Sequence, residues 1–342
     1  MKRILTGDNT TGKLHLGHFV GSLENRVRLQ DKYETFIILA DMHSFAYPKY
    51  IANPDIIHDS VREVLLDNLA VGLDPDKVTF FVESGIPEIY ELGIIFTMLV
   101  SHARALRNPT IKDEIRDKGM GENYSLGFVN FPILQAADIL CVKADLVPVG
   151  EDQLPHIEQT NEIVRSFNRT YKTDVLKEAE GLVGKVKRLI GTDGNAKMTK
   201  SLDNAIYLSD SAEEVERKVM AMYTDPTRIH PTDLGHVEGN PVFIYLDAFG
   251  VDNDRISEYK NRYLTGRVGD IEVKKYLAEV LNKLLEPIRQ KRAEYEKQPE
   301  LVERILKEGT KRVRLEAQKT LHEVKRAMKL NYFDDPLDDI QV

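Results

Sequence analysis

One cysteine, Cys141, is all the chain has, so no intramolecular disulfide can form and a zinc site built from several thiolates is excluded. That usage fits a reducing compartment. No apolar run approaches the roughly 18 residues needed to span a bilayer. The opening Met1-Lys2-Arg3-Ile4-Leu5-Thr6-Gly7 lacks the apolar core and cleavage site of a secretory leader. A soluble, cytoplasmic protein is expected. Positive charge is not in excess either: 47 Lys and Arg stand against 55 Asp and Glu, a formal net charge of -8. That excludes a basic coat for nucleic acid and leaves any RNA contact to local patches. The rest is ordinary for a globular chain, 42% hydrophobic and 30% charged over 342 residues. At roughly 100–200 residues per domain, two domains are expected.

The first half alternates strand-like and helix-like segments. Lys2 to Thr6 is a short β run ending at Gly7, and Thr35 to Ala40 (TFIILA) and Val78 to Val82 (VTFFV) are continuous apolar runs, as strands covered on both faces should be. Asn53 can cap a helix with Pro54 at its first position and Gly72 as its stop. Helical patterns follow from about Glu88 to Arg107 and from Phe131 to Val142, before the run Leu146 to Gly150. This order predicts an α/β fold, a parallel sheet with helices on both faces. Residues 86–127 break the rhythm as a helical insertion. After Leu208 the pattern is helical throughout. Ser211 and Glu214 form a capping box, an apolar stripe runs from Val273 to Ile288, and a further helix spans about Leu301 to Leu330. An all-α second domain, residues 208–342, is expected.

Two loops carry the chemistry. The first, Gly7-Asp8-Asn9-Thr10-Thr11-Gly12-Lys13-Leu14, begins like a phosphate-cradling P-loop, but Leu14 stands where that motif needs a hydroxyl for magnesium. His15-Leu16-Gly17-His18 follows at an expected helix start, where unpaired N–H groups favour anions. There Gly17 would let a base or ribose approach the backbone. The second loop is Gly194-Asn195-Ala196-Lys197-Met198-Thr199-Lys200-Ser201. Read alone, it is either a solvated surface loop or a clamp whose two ammonium groups suit a leaving pyrophosphate.

Together the loops are informative. His15-Leu16-Gly17-His18 resembles the "HIGH" element of class I aminoacyl-tRNA synthetases, and Lys197 to Ser201 resembles their "KMSKS", with Thr199 keeping the hydroxyl. The resemblance continues through Gly150-Glu151-Asp152-Gln153, His156 and Glu158 to Thr224-Asp225-Pro226-Thr227-Arg228 and Glu238 to Phe243. As a set these segments are most similar to the tryptophanyl-tRNA synthetases. The resemblance implies a Rossmann-like catalytic domain over residues 1–207 and a helical anticodon-binding domain over 208–342. It also implies ATP with Mg2+ held mainly by the phosphates rather than by protein ligands, and L-tryptophan and tRNA(Trp) as partners, with esterification at the terminal 2′-hydroxyl. A homodimer through Ile94, Ile95, Phe96 and Met98 is implied as well.

Residue by residue, the resemblance assigns His15, His18, Lys197 and Lys200 to catalysis. Asn9, Thr10, Thr11, Gly17, His18, Gly150, Glu151, Asp152, Arg188 and Lys197 to Ser201 go to ATP. Leu5, Gly7, Phe131, Gln135, Asp138 and Gln153 go to the amino acid. Asp138 would accept the indole N–H, a donor-only group. Tyrosyl enzymes share the aspartate but place a tyrosine at the end of the first strand. Leu5 offers an apolar wall there instead. Three positions depart from the family pattern: Phe131 for tyrosine, Thr10 for proline and Asn161 for arginine. Lys311, Arg312, Arg314, Lys319, Lys325 and Arg326 are either an RNA-facing cluster or a solvated helix face. His43 and Cys141 read as structural. The competing functions are a tyrosyl enzyme, another HxGH nucleotidyltransferase and a non-catalytic RNA-binding paralogue.

Overall fold

The structure is a computed structural model describing residues 1–117, 119–121, 124–150, 153–183, 189–194, 198, 202, 204–228, 230 and 232–332. Its centre is a sheet of five parallel strands in the order β3-β2-β1-β4-β5. These are β1 (Arg3–Asn9), β2 (Glu34–Ala40), β3 (Val78–Val82), β4 (Leu146–Val149) and β5 (Glu180–Val183). The apolar runs read from the sequence are β2 and β3, buried on both faces as expected. β5 was not foreseen: Glu180-Gly181-Leu182-Val183 is a short edge strand with too few apolar residues to signal itself.

Between β1 and β2 lie α1 (Leu16–His18), a π turn (Phe19–Leu23) and α2 (Glu24–Leu29), and β2 leads to α3 (Asp41–Ser44), α4 (Pro48–Ile51) and α5 (Pro54–Ala70). Asn53 does occupy the N-cap of α5, but its side chain donates back to the Lys49 carbonyl at 2.8 Å instead of capping. Gly72 follows the helix with φ 110°, the left-handed conformation suited to a helix stop. The insertion is helical: α6 (Pro87–Thr97), α7 (His102–Leu106) and α8 (Pro109–Asp117). The helix expected from Phe131 begins earlier, as α9 (Leu126–Cys141), because Ser125 accepts the Phe128 N–H and Pro132 is absorbed inside it. α10 (Leu154–Tyr171) connects β4 to β5.

Every described strand precedes residue 208. Beyond it come α11 (Ala212–Met220), α12 (Pro241–Phe249), α13 (Asn253–Leu264), α14 (Asp270–Glu296) and α15 (Pro299–Ala327). Ser211 caps α11 by accepting the Glu214 N–H at 3.2 Å, while the Glu214 carboxylate pairs with Arg217. The long helices return to the sheet. Leu281, Leu285 and Ile288 of α14 share one core with Leu65, Leu69 and Phe80. Val313, Ala317, Leu321 and Val324 of α15 share another with Phe81, Ile89 and Ile139.

Four of the six residues in the α15 basic cluster have acidic partners. Arg312 pairs with Glu34, Arg314 with Glu88, Lys325 with Glu91 and Lys319 with Glu316. These pairs join α15 to the sheet layer and to itself. Of the four apolar residues expected at a dimer contact, Ile95 and Phe96 are instead in the core, while Ile94 and Met98 are exposed. No described helix is long and apolar enough to cross a membrane.

α15 lies on β3 so closely that only glycine fits at 309, where a methyl group would meet the Phe80 carbonyl oxygen at 1.9 Å. Helix propensity alone favours alanine by ~1 kcal/mol, whereas overpacking against immovable backbone costs ~1–3 kcal/mol. Gly309→Ala is therefore expected to lower the thermal unfolding midpoint. A raised midpoint would refute this packing.

Candidate active site

The sheet order reverses direction between β1 and β4, the position where ligands settle in open parallel sheets. The strands part there. β1 pairs with β2 along its whole length, Arg3 to Asn9 against Glu34 to Ala40, but with β4 only at Ile4–Leu146. The gap opens into a cleft of about 430 Å³ at the carboxyl ends of the strands.

Ten of the expected site residues line this cleft: Leu5, Gly7, Asn9, Thr11, His18, Phe131, Gln135, Asp138, Gly150 and Gln153. Leu5, Ile38, Ile139 and Val147 supply apolar lining. Gly7 lacks a side chain for a reason other than substrate access: a methyl group there would lie 2.2 Å from Ile38 on β2.

Three expected residues serve differently. Thr10 is fully buried, with Oγ1 lacking a hydrogen-bond partner, and does not line the cleft. His15 is buried and caps α1: its Nδ1 accepts the Gly17 N–H at 3.1 Å, and its own N–H donates to His18 Nδ1 at 3.2 Å. With both Nδ1 atoms accepting, Nε2–H is the donor of each ring. The group that approaches Gly17 is the His15 ring, 2.9 Å from where a methyl group would sit.

The second loop reaches the first. Met198 is buried, and its Sδ lies 3.5 Å from the same position beside Gly17. The chain just beyond the loop then runs along the first, with Leu16 N–H donating to the Ile206 carbonyl at 2.9 Å and Leu208 N–H to the Leu14 carbonyl at 3.0 Å. Lys197, Thr199, Lys200, Ser201, Arg188, Glu151 and Asp152 lie outside the described residues.

Beneath the first loop, Arg26 holds both Asp8 oxygens, at 2.5 and 3.0 Å, and donates to the Gly7 carbonyl at 2.8 Å. Burial opposes charge on Asp8, but Arg26 outweighs it and holds the carboxyl below its ordinary range. Because Arg26 and Asn68 occupy this carboxylate, it is not placed to bind a cation.

The sequence reading missed His43. It follows β2 at the rim of the cleft, and its Nε2 meets Asp138 Oδ2 at 2.8 Å and Glu83 Oε1 at 3.7 Å. Burial disfavours charge on the ring, yet the two carboxyls prevail and raise it to about 9. Burial also raises Glu83, to about 8, and Asp138, with His43 opposing in both cases. These three form the one cluster of possible metal ligands among the described residues. Within it His43 Nε2 is already engaged by Asp138 Oδ2 at 2.8 Å. Asp138 Oδ1 is left buried without a hydrogen-bond partner.

Two further residues line the cleft unforeseen, Tyr47 and Glu114, joined by a hydrogen bond of 2.8 Å. A signal for His43 existed: a titratable residue just past the carboxyl end of a parallel strand sits where ligands bind. Cys141, by contrast, is structural, its buried thiol donating to the Asp138 carbonyl at 3.1 Å. Asn161 pins the backbone before β5 through both the N–H and the carbonyl of Ala179, at 2.9 Å each.

Glu83 and His43 keep, in the folded chain, protons that the unfolded chain releases at lower pH. The stability they contribute is lost as pH rises from the ordinary values of 4.5 for Glu83 and 6.5 for His43 up to about 8 and about 9. The thermal midpoint is expected to fall across that window, and Glu83→Gln, which has no proton to lose, should flatten the fall. Equal slopes in variant and parent would contradict a Glu83 that stays protonated in the folded chain.

Residues 1–286 match the family described as tRNA synthetases class I (W and Y). The chain is 55% identical over 337 residues to the tryptophan–tRNA ligase of Streptococcus mutans, covering 96% of this chain and 98% of that protein. With the same coverage it is 53% identical to the tryptophan–tRNA ligase of Streptococcus pyogenes. Among solved structures it is similar to tryptophanyl-tRNA synthetase from Campylobacter jejuni complexed with ADP and tryptophan. That likeness has a TM-score of 0.83 at 28% identity and covers 96% of this chain and 99% of that one.

Proposed function

The chain belongs to the class I tRNA synthetases of the tryptophan and tyrosine group, and from that premise we propose that it activates L-tryptophan with ATP and esterifies it to tRNA(Trp). The choice of tryptophan rests on Leu5 and on the 55% identity to a tryptophan–tRNA ligase, with Asp138 as the proposed partner of the ring nitrogen. His43 fixes one oxygen of Asp138, and the other is a buried acceptor without a partner. An indole N–H is a donor with no acceptor capacity and suits that oxygen. A hydrogen bond to a charged group contributes ~1.5–3 kcal/mol. Leu5 offers nothing to a phenol, which favours tryptophan over tyrosine. Phe131 has no hydroxyl for the substrate amine, which leaves Gln135 and Gln153 as its amide partners in the cleft.

In the first step a tryptophan carboxylate oxygen attacks the α-phosphorus of ATP. The new O–P bond forms as the bond to pyrophosphate breaks. The protein's contribution is positioning and charge stabilisation. His18, Asn9 and Thr11 line the nucleotide side, Gly150 closes it from β4, and His15 acts by ordering α1. Lys197 and Lys200 are the proposed cations for the leaving pyrophosphate. The placement of Met198 against α1 supports a second loop that lies over the first. Arg188, Glu151, Asp152, Thr199 and Ser201 are proposed as further ATP contacts on the strength of the motifs. Mg2+ is proposed to enter with the ATP phosphates, in keeping with an Asp8 already committed to Arg26.

In the second step the tryptophanyl group passes to the terminal 2′-hydroxyl of the tRNA. Residues 1–207 are proposed to perform the chemistry and 208–342 to read the anticodon, through surfaces other than the ion-paired face of α15. A homodimer is proposed through exposed Ile94 and Met98, and a cytoplasmic location follows from the tRNA substrate.

ATP–pyrophosphate exchange measured with each of the twenty amino acids is expected to respond to tryptophan. A response to tyrosine alone would establish the tyrosyl enzyme, and no response to any would indicate a non-catalytic paralogue. Lys200→Ala should leave tryptophan binding near the parent value and slow adenylate formation at least ~10-fold, about 1.4 kcal/mol. Unchanged turnover would refute the clamp.

A further inference from the structure

We propose that Arg292, on α14 of the helical half, is a positioning residue for the first loop and acts through Asp67 on α5. This rests on the reading of that loop as the nucleotide-binding element.

The Arg292 side chain is almost entirely buried and spreads its donors over three partners. Nη1 pairs with Asp67 Oδ1 and also meets the Glu63 carbonyl at 3.3 Å. Nη2 pairs with Glu63 Oε2 at 2.5 Å, and Nε with Glu296 Oε1 at 3.0 Å. The two acids of α5 then pass the contact on to the loop. Asp67 Oδ2 accepts the Leu14 N–H at 2.7 Å, and Glu63 Oε2 lies 3.7 Å from Lys13 Nζ. On its other side the same stretch is held by residues 206–208, through the Leu14 carbonyl and the Leu16 N–H. Leu14 immediately precedes His15, whose ring organises α1 and through it His18 at the cleft.

The arrangement depends on a charge. Asp67 has a fully buried side chain, and burial raises its carboxyl to about 6 even with Arg292 beside it. Without the guanidinium, Asp67 would take up a proton or turn away. Either change weakens the charge-assisted bond that holds Leu14. Arg292 lies on the helical half and Leu14 in the catalytic loop, so a displacement of α14 is passed to the histidine turn by two side chains.

The test uses the full-length protein with Arg292→Met and Arg292→Lys, by tryptophan-dependent ATP–pyrophosphate exchange normalised to titrated active sites. Arg292→Met is expected to lower kcat/KM for ATP by at least about fivefold while KM for tryptophan stays within about twofold. Arg292→Lys should restore a substantial part of that loss. An Arg292→Met protein with parental kcat/KM for ATP overturns the proposal. So does an equal decline in the ATP and tryptophan parameters, which marks general loosening. If Arg292→Met does not fold, Asp67→Asn is combined with Arg292→Lys, and additive effects on kcat/KM for ATP overturn the proposal in its place. Absence of exchange in the parent protein overturns the synthetase reading itself, an outcome distinct from parental activity in the variant.

Discussion

β1 and β4 meet at one residue pair and then separate, and the rest of the molecule depends on that parting. Had the two strands stayed in register beyond Ile4 and Leu146, the sheet would be closed at its switch point and no cleft would exist. The separated ends need other supports. On one side β2 pairs with the full length of β1 and presses Ile38 against Gly7. On the other, Arg3 N–H donates to Asp145 at 2.7 Å just below the point of divergence. A cleft between strands is thus bought with rigidity in the strands beside it.

Charge is treated in the same spirit. Asp8 and Asp67 are buried at the first loop and Asp138 at the cleft, and each has a cation of its own: Arg26, Arg292 and His43. In each case the carboxylate has a second duty. Asp8 helps fix the strand end, Asp67 holds the Leu14 N–H, and Asp138 keeps one acceptor open. Buried ion pairs add little net stability over apolar packing, because desolvation offsets the attraction. Their value here is orientation. The cation occupies one part of the carboxylate and so determines what the remaining part can reach.

Much of this was legible in the sequence. β2 and β3 were visible as apolar runs because both faces are covered, and the two loops were recognisable because their chemistry demands particular residue types in a particular order. β5 was hidden because a four-residue edge strand whose only large apolar side chains are Leu182 and Val183 looks like loop. A one-dimensional motif does not say how its two histidines are arranged: His18 lines the cleft while His15 caps the helix. The position of His43 after β2 was a signal that could have been used, but its partners, like those of Glu83 and Arg292, were beyond reach for a common reason. Each acts on a residue far away in the chain, and no local pattern marks a side chain whose partner is chosen by folding. The α15 cations were ambiguous for the same cause, since only the acids facing them decide whether they are solvated.

The last long helix bears on how the protein is made. α15 covers β3, a strand synthesised more than two hundred residues earlier, and Arg3 at the start of the chain pairs with Glu316 near its end at 2.9 Å. A growing polypeptide on the ribosome can assemble β1, β2 and β3 but must carry the apolar flank of β3 uncovered until α15 emerges. Contacts of such sequence separation delay folding and leave adhesive surface exposed meanwhile. Chaperone demand should therefore persist until α15 emerges, and a ribosome stalled shortly before residue 299 would hold this flank of β3 uncovered.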